Sequence, residues 1–195
     1  SYLVQSPLFC VCDGMGGHAA GEVASSIAVE TIAKTAPQSA DAARLAAAVE
    51  AANAAVIEAA LNGLGKPGMG CTATCAYIEN DTLAIAHVGD SRAYLLHEGT
   101  LIRVTRDHSY VEELVDAGEI TADEARVHPN RSVITRALGS DPAMYADHFT
   151  LHIEEGDRLI LCSDGLSSMI PDSDIENIAT QSSTAQICVD NLVDA

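Results

Sequence analysis

The chain has 195 residues, which is enough for one domain with a sizeable core and little more. Apolar residues make up 48% and charged residues 19%, a composition typical of a globular rather than a disordered protein. Ten Lys and Arg against 28 Asp and Glu give a formal net charge of −18, so neither nucleic acid nor a membrane surface is expected as a partner. The sequence has no apolar run of about 18 residues and no signal-peptide pattern, which favours a cytoplasmic protein.

The first part of the chain predicts one strand followed by two helices. A short apolar run over residues 8–12 ends at Asp13-Gly14 and indicates a buried strand. Helices are expected over residues 20–34 and 40–61, because apolar residues recur there at helical spacing. The residues expected to face inward are Val23, Ile27 and Ile32 in the first helix, and Leu45, Val49, Ala52 and Val56 in the second.

Strands dominate the second part of the chain, and two short helices are expected to close it. The predicted strands cover residues 72–78, 82–88, 91–96, 101–104, 149–153 and 158–162. A polar, helix-prone insert lies at residues 110–126, and the closing helices are expected over 174–180 and 184–192. Two-residue turns join antiparallel strands, and the helices arrive in consecutive pairs. This pattern favours an α+β layered sandwich over a doubly wound parallel sheet.

Three aspartates share one local context. Asp13, Asp90 and Asp164 each follow an apolar strand and each has a glycine beside it. If the three strands are neighbours, the carboxylates converge at one sheet edge and repel one another unless a cation lies between them. Carboxylate and carbonyl oxygens suit Mg²⁺ or Mn²⁺. Such aspartates also cap turns in many proteins, which is the simpler interpretation of any one of them.

Two other kinds of site have partial support in the sequence. Cys10, Cys12, Cys71 and Cys75 offer four thiols for zinc, but C-x-C with C-x3-C fits the common zinc spacings poorly, and buried reduced thiols are the favoured interpretation. Gly14-x-Gly16-x-x-Ala19 formally matches the dinucleotide-binding fingerprint. However, a second helix follows where a parallel strand is required, and Asp13 would repel a pyrophosphate.

The motifs together resemble those of the metal-dependent Ser/Thr protein phosphatases, the PPM or type 2C family, in its bacterial style. They occur in the family order over nearly the whole chain: VCDGMGGHAAGE at residues 11–22, GCTA at 70–73, VGDSR at 88–92, TRDHS at 105–109, RALG at 136–139 and CSDGL at 162–166. No single one is specific, but the ordered set is.

The resemblance implies a four-layer α-β-β-α sandwich, two antiparallel sheets flanked by paired helices, around a centre of two Mn²⁺ or Mg²⁺ ions. In that centre Asp13 would bridge both ions, the Gly14 carbonyl would hold one, and Asp164 the other. Asp90 matches the family position that holds a third, weaker ion together with Asp164. Asp13 and Asp164 are thus the expected catalytic residues, and His18, after two glycines at a helix start, is the candidate substrate-binding residue.

The resemblance further implies hydrolysis of phosphoserine and phosphothreonine in proteins, with phosphoproteins and a cognate Ser/Thr kinase as partners. A single catalytic domain over residues 1–195 is expected, acting as a monomer, with a flap insert at about residues 110–139. The family's Asn-Glu-Asp run and its terminal Asp-Asn strand would lie before Ser1 and after Ala195, so this stretch is expected to lack its first and last strands. A non-catalytic regulatory module of the same fold is the alternative.

Overall fold

The computed structural model describes all 195 residues, and every strand pair in it is antiparallel. The strands are β1 (Tyr2–Gln5), β2 (Leu8–Val11), β3 (Gly14–Met15), β4 (Gly70–Cys71), β5 (Ala73–Glu79), β6 (Thr82–Val88), β7 (Arg92–His97), β8 (Thr100–Arg103), β9 (Asp147–His152) and β10 (Arg158–Cys162). The helices are α1 (His18–Thr35), α2 (Ala42–Leu61), α3 (Tyr110–Asp116), α4 (Ala122–Val127), α5 (Asp164–Ser167), α6 (Asp172–Gln181) and α7 (Ala185–Asp194).

Two sheets form the centre of the fold. The larger has the order β1-β2-β5-β6-β9 and the smaller β10-β7-β8, while β3 and β4 form a two-stranded ribbon. The β5–β6 and β7–β8 pairs are hairpins, but the β6–β7 and β9–β10 connections each pass from one sheet to the other. The predicted α+β sandwich is confirmed. The strand–helix–parallel strand unit that a dinucleotide site needs is absent, because α1 is followed by α2.

Helices α1 and α2 cover the outer face of the larger sheet. All four residues predicted to face inward from α2 are fully buried, which confirms that part of the pattern. In α1 the prediction is confirmed for Ile32, and the other buried residues are Ala20, Gly21, Ala24, Ser25 and Ala28. Val23 and Ile27 are only half-buried at the edge of this core. The small residues let α1 lie close to its neighbours, so the larger ones are displaced to the side.

A second apolar core lies between the smaller sheet and the last two helices. Its members are Tyr94, Leu96, Cys162, Ile170, Ile175, Ala179, Cys188 and Leu192. Helices thus flank both sheets, which completes the four layers.

The sequence did not predict four short elements: β1, β3, β4 and α5. Each has only two to four residues. Such elements are defined by hydrogen bonds to partners far along the chain, and they carry too few residues for a periodic pattern.

All six cysteines are free and buried. Four of them line one side of the larger sheet, where the Cys10 Sγ lies 2.9 Å from the Cys75 Sγ and 3.6 Å from the Cys12 Sγ. These thiols are part of the apolar core beneath α1 and α2. No helix in the structure has both the length and the apolar character needed to cross a membrane.

Candidate metal centre

Asp13 lies in the two-residue break between β2 and β3, where the strand leaves the core. Its backbone is held on both sides by Thr72, which lies between β4 and β5. The Asp13 N–H donates to the Thr72 Oγ1 at 2.9 Å, and the Thr72 N–H donates to the Asp13 carbonyl at 2.8 Å. The side chain is therefore presented from a fixed backbone at the end of a buried strand.

Gly14 follows at a point where no side chain fits. A Cβ added to Gly14 would lie 2.1 Å from the Gly21 carbonyl oxygen, and one added to Gly21 would lie 2.8 Å from the Gly14 carbonyl carbon. Helix α1 therefore crosses the Gly14 backbone in direct contact. This approach explains why glycine occurs at both positions, and it fixes the start of α1 against the strand that carries Asp13.

Asp90 lies in the turn from β6 to β7, which passes between the sheets. Gly89 has a φ of 106°, and a Cβ there would lie 2.6 Å from the Thr72 Cγ2, so glycine is required for both reasons. The Thr72 Oγ1 also lies 2.7 Å from the Ser91 Oγ. Thr72 thus joins the backbone of Asp13 to the turn that carries Asp90.

Asp164 is the first residue of α5, directly after β10. Its carbonyl accepts hydrogen bonds from the Ser168 N–H at 2.9 Å and the Ser168 Oγ at 2.5 Å. Strand β10 pairs with β7 in register, with Cys162 opposite Arg92. Asp164 follows the end of β10, and Asp90 precedes the start of β7. Because these two strands are antiparallel, both aspartates lie at the same end of the smaller sheet.

The structure brings two of the three aspartates into direct contact. The carboxyl groups of Asp13 and Asp164 lie within hydrogen-bonding reach of each other, and burial followed by this contact raises the pKa of Asp13. Asp90 is more deeply buried. Burial first, then the charges of Asp164, Asp107 and Asp13, raises its pKa to about 7. The three do not form one tight cluster, since no three His, Cys, Asp or Glu side chains lie close enough together to hold a metal ion.

The donors at this edge fit a hard divalent cation. None of the salt bridges in the structure involves Asp13, Asp90 or Asp164. The nearby guanidinium of Arg92 is bound to Asp107, with Nη2 to Oδ2 at 2.8 Å. No cationic side chain forms a salt bridge with these carboxylates, which therefore repel one another, and oxygen donors of this kind are the ligands that Mg²⁺ and Mn²⁺ prefer.

His18 is the first residue of α1 and is exposed. It follows Gly16 and Gly17, both with positive φ, and no side chain caps the helix. His87, which precedes the VGDSR motif, is structural. His87 is buried between the Thr74 Oγ1 and the Arg106 carbonyl, and burial lowers its pKa to about 4.

The expected flap consists of α3, α4 and the loop after them, and it contacts the body at several points. Leu138 exchanges backbone hydrogen bonds with Cys71 at 2.8 and 3.1 Å, and the Gly139 N–H donates to the Asn53 Oδ1 at 2.7 Å. On the other side, the Arg126 Nη1 of α4 donates to the carbonyl of Ser167 at 3.2 Å. Helix α4 therefore contacts the short helix that begins with Asp164.

Sequence reasoning missed the polar side chains that support these aspartates, namely Thr72, Ser91 and Asp147. Thr72 and Ser91 stand inside the motifs GCTA and GDSR, so the signal was present, but their hydrogen bonds depend on how two distant segments pack. Asp147 lies outside every motif, at the start of β9.

The chain is similar to known proteins over most of its length. Residues 3–195 match the family model described as protein phosphatase 2C. The serine/threonine phosphatase stp of Listeria welshimeri is 38% identical over 181 residues, which cover 89% of this chain and 72% of that protein. The serine/threonine protein phosphatase PstP of Mycobacterium tuberculosis is 42% identical over 174 residues, covering 86% of this chain and 33% of that protein.

Solved structures are similar over the whole chain. The crystal structure of the Mycobacterium tuberculosis phosphatase PstP/Ppp superposes with a TM-score of 0.92 at 38% identity, covering 100% of this chain and 83% of that one. A PstP catalytic domain in complex with two manganese ions gives a TM-score of 0.89 at 36% identity, covering 100% and 82%.

Proposed function

This chain belongs to the protein phosphatase 2C family, and from that premise we infer that it hydrolyses phosphoserine and phosphothreonine in proteins, with Mn²⁺ or Mg²⁺ as cofactor. The observation that carries the inference is the contact between Asp13 and Asp164, two carboxylates at strand ends that form no salt bridge with a cationic side chain. The four thiols considered for zinc are part of the apolar core, and the parallel strand that a nucleotide site needs is absent.

Asp13, Asp164 and the Gly14 carbonyl would hold two ions, and Asp90 together with Asp164 would hold a third, weaker one. When bound, such ions acidify a water molecule and offset the negative charge of the phosphoryl group. The protein's own contribution is to keep the oxygen donors in place. It does so through the Thr72 hydrogen bonds to Asp13 and through the contact of Gly14 with Gly21.

His18 is the proposed substrate-binding residue. Its imidazole is exposed at the start of α1, and the glycine-rich segment that precedes it contains Gly14. A ring nitrogen there could donate a hydrogen bond to a phosphoryl oxygen or a proton to the leaving serine or threonine oxygen.

The remaining parts of the proposal concern organisation and partners. Residues 1–195 would belong to one catalytic domain that acts as a cytoplasmic monomer. The flap at residues 110–139 would contact the peptide around the phosphorylated residue, since α4 lies against the helix that begins with Asp164. A cognate Ser/Thr kinase would supply the phosphorylated partners.

The direct test is hydrolysis of p-nitrophenyl phosphate and of a phosphothreonine peptide, measured with Mn²⁺ and again after EDTA. Turnover of both substrates that EDTA abolishes and fresh Mn²⁺ restores is the expected result. Binding of Mn²⁺ without turnover of either substrate would indicate the non-catalytic module instead. Turnover that survives EDTA would contradict the metal-dependent assignment.

A further inference from the structure

His108 is a buried histidine that neither the metal ligands nor the substrate site uses, yet it contacts the turn that carries Asp90. Its side chain is 3% exposed. The ring Nδ1 accepts a hydrogen bond from the Gly89 N–H at 3.0 Å, and the His108 backbone N–H donates to the Gly89 carbonyl at 2.8 Å. One residue therefore binds both polar groups of the glycine that precedes Asp90.

The opposite side of Gly89 is closed by Thr72. The space for a Cβ on Gly89 is filled by the Thr72 side chain, 2.6 Å away, and the backbone has a φ of 106°. The turn is thus held between Thr72 on one side and His108 on the other. Since Asp90 is the next residue, the position of its carboxylate depends on this pair of contacts.

The second nitrogen of the ring explains why Nδ1 can accept. The His108 Nε2 lies 2.8 Å from the Asp147 Oδ2, and the Arg136 Nη1 donates to the Asp147 Oδ1 at 2.6 Å. Burial alone would raise the pKa of Asp147, but the bonds from Arg136 and His108 lower it, so Asp147 is an anion. A carboxylate only accepts, so the ring proton belongs on Nε2 and Nδ1 is left free for Gly89.

We infer that His108 is a positioning residue, which holds the Gly89–Asp90 turn so that Asp90 can bind a divalent cation, with Asp147 setting its tautomer. The inference rests on the proposed function, because it concerns the aspartate assigned to the third ion. His108 touches neither substrate nor the proposed ligands, and it acts only through Gly89. Partners of this indirect kind usually contribute about 10- to 100-fold to metal affinity.

Two substitutions of His108 separate the contributions of its two ring nitrogens. In His108→Asn the side-chain oxygen stands near the position of Nδ1, so the bond from Gly89 is kept and the contact with Asp147 is lost. In His108→Gln the amide reaches toward Asp147 but leaves the Gly89 N–H without its acceptor. The measurement is direct Mn²⁺ binding by titration calorimetry, with thermal unfolding in EDTA to show that each variant is folded.

Asp90→Asn should identify the Mn²⁺ binding step that depends on Asp90. His108→Gln should reduce the Mn²⁺ affinity of that same step by about 10-fold, while the affinity of His108→Asn should stay within about twofold of the parent. The double variant of His108→Gln with Asp90→Asn should bind no more weakly than Asp90→Asn alone. Equal losses in the Asn and Gln variants, or additive losses in the double variant, would overturn the inference.

Asp147→Ala provides a second test in case His108→Gln does not fold, because this side chain is 39% exposed. It should weaken the same Mn²⁺ binding about threefold in the parent and have no effect in the His108→Asn background, where no tautomer needs to be set. Equal effects in both backgrounds would contradict the role given to Asp147. These tests measure Mn²⁺ binding, whereas the phosphatase assignment is tested by Mn²⁺-dependent turnover of the parent. Either result can therefore fail while the other stands.

Discussion

At the scale of single residues, the centre depends on carboxylates that are held together against their own repulsion. Asp13 and Asp164 are in contact, and Asp90 is buried nearby with a pKa of about 7. Hydrogen bonds hold the backbones of Asp13 and Asp164, and they hold Gly89, the residue before Asp90. Repulsion between such carboxylates destabilises the folded state, and a bound divalent ion offsets that repulsion.

Asp164→Asn should reduce turnover by about 100-fold or more while leaving the fold intact. The amide keeps the volume and one oxygen, but the negative charge that faces the cation is lost. The check is hydrolysis of p-nitrophenyl phosphate at limiting Mn²⁺, with thermal unfolding as the test of folding.

Asp41→Asn is the matched control for this change in net charge. Asp41 caps α2 by accepting from the Arg44 N–H at 3.0 Å, and asparagine caps helices about as well as aspartate. Turnover of this variant should be unchanged. Near-normal turnover of Asp164→Asn under the same conditions would falsify the assignment of Asp164 as a metal ligand.

Asp90→Asn should stabilise the metal-free protein at pH 8 and leave it nearly unchanged at pH 4. Because the pKa of Asp90 is about 7 in the folded chain and 3.8 is its usual value, the folded state keeps a proton that the unfolded state has lost between these pH values. The free energy of unfolding of the parent therefore falls as pH rises through this window, by up to about 4 kcal/mol.

The asparagine variant has no ionisable group at this position. The difference in the free energy of unfolding between variant and parent should therefore grow as pH rises from 4 to 7. Urea unfolding in EDTA at several pH values measures it, and Asp41→Asn again controls for charge. Added Mn²⁺ should reverse the order at pH 8. A difference that does not change with pH would contradict burial of an ionisable Asp90.

At the scale of elements, the flap is a pair of short helices followed by a return segment. The return segment is held by the Ser109–Ile134 bridge and by the Leu138 hydrogen bonds to Cys71. Helix α3 is held through buried Val111 and through ion pairs of Glu112 and Asp116, and α4 touches α5 through Arg126. The exposed positions of the two helices remain free to contact a substrate.

Replacing residues 111–132 by the corresponding segment of a relative should change the preference among phosphopeptides more than the hydrolysis of p-nitrophenyl phosphate. A peptide must pass the flap, whereas a small aryl phosphate need not touch it. The measurement is kcat/KM for both kinds of substrate. Exchange of residues 133–139 is the contrast, and it should lower stability and both activities, since Ala137 and Leu138 are buried. Equal losses on both substrates from the first exchange would mean that α3 and α4 support the fold instead.

At the scale of the whole molecule, the net charge is strongly negative. Most of the cations are already paired with carboxylates: Lys34, Arg44, Arg92, Arg103, Arg106 and Arg136 all form salt bridges. With 28 acidic residues in the chain, the surface field is negative over most directions of approach. Such a field attracts divalent cations and basic peptides and repels acidic ones.

A phosphothreonine peptide flanked by Arg or Lys should have a kcat/KM several-fold higher than one flanked by Asp or Glu at low ionic strength. The ratio should approach one at about 1 M salt, where the Debye length is only about 3 Å. Salt titration of both peptides measures it, with p-nitrophenyl phosphate at saturating Mn²⁺ as the control for effects of salt on the metal centre. A preference that persists at high salt would indicate direct contacts rather than the overall field.

Much of the fold follows from local patterns in the sequence. The buried face of α2, the long strands and their antiparallel pairing were all predictable, because side-chain periodicity and two-residue turns depend on near neighbours. The three aspartates were also recognisable, since each ends an apolar strand beside a glycine. Their family assignment needed the ordered motifs rather than any single one.

The tertiary structure alone decided what holds these residues in place. Only packing shows that Asp13 meets Asp164 while Asp90 stands apart, that Thr72 joins two of them, and that α1 needs glycine where it crosses Gly14. The link from His108 to Asp147 was equally hidden, because those residues are 39 positions apart. Hydrogen bonds and close contacts between distant segments depend on distances in space, and residue spacing along the chain contains no direct record of them.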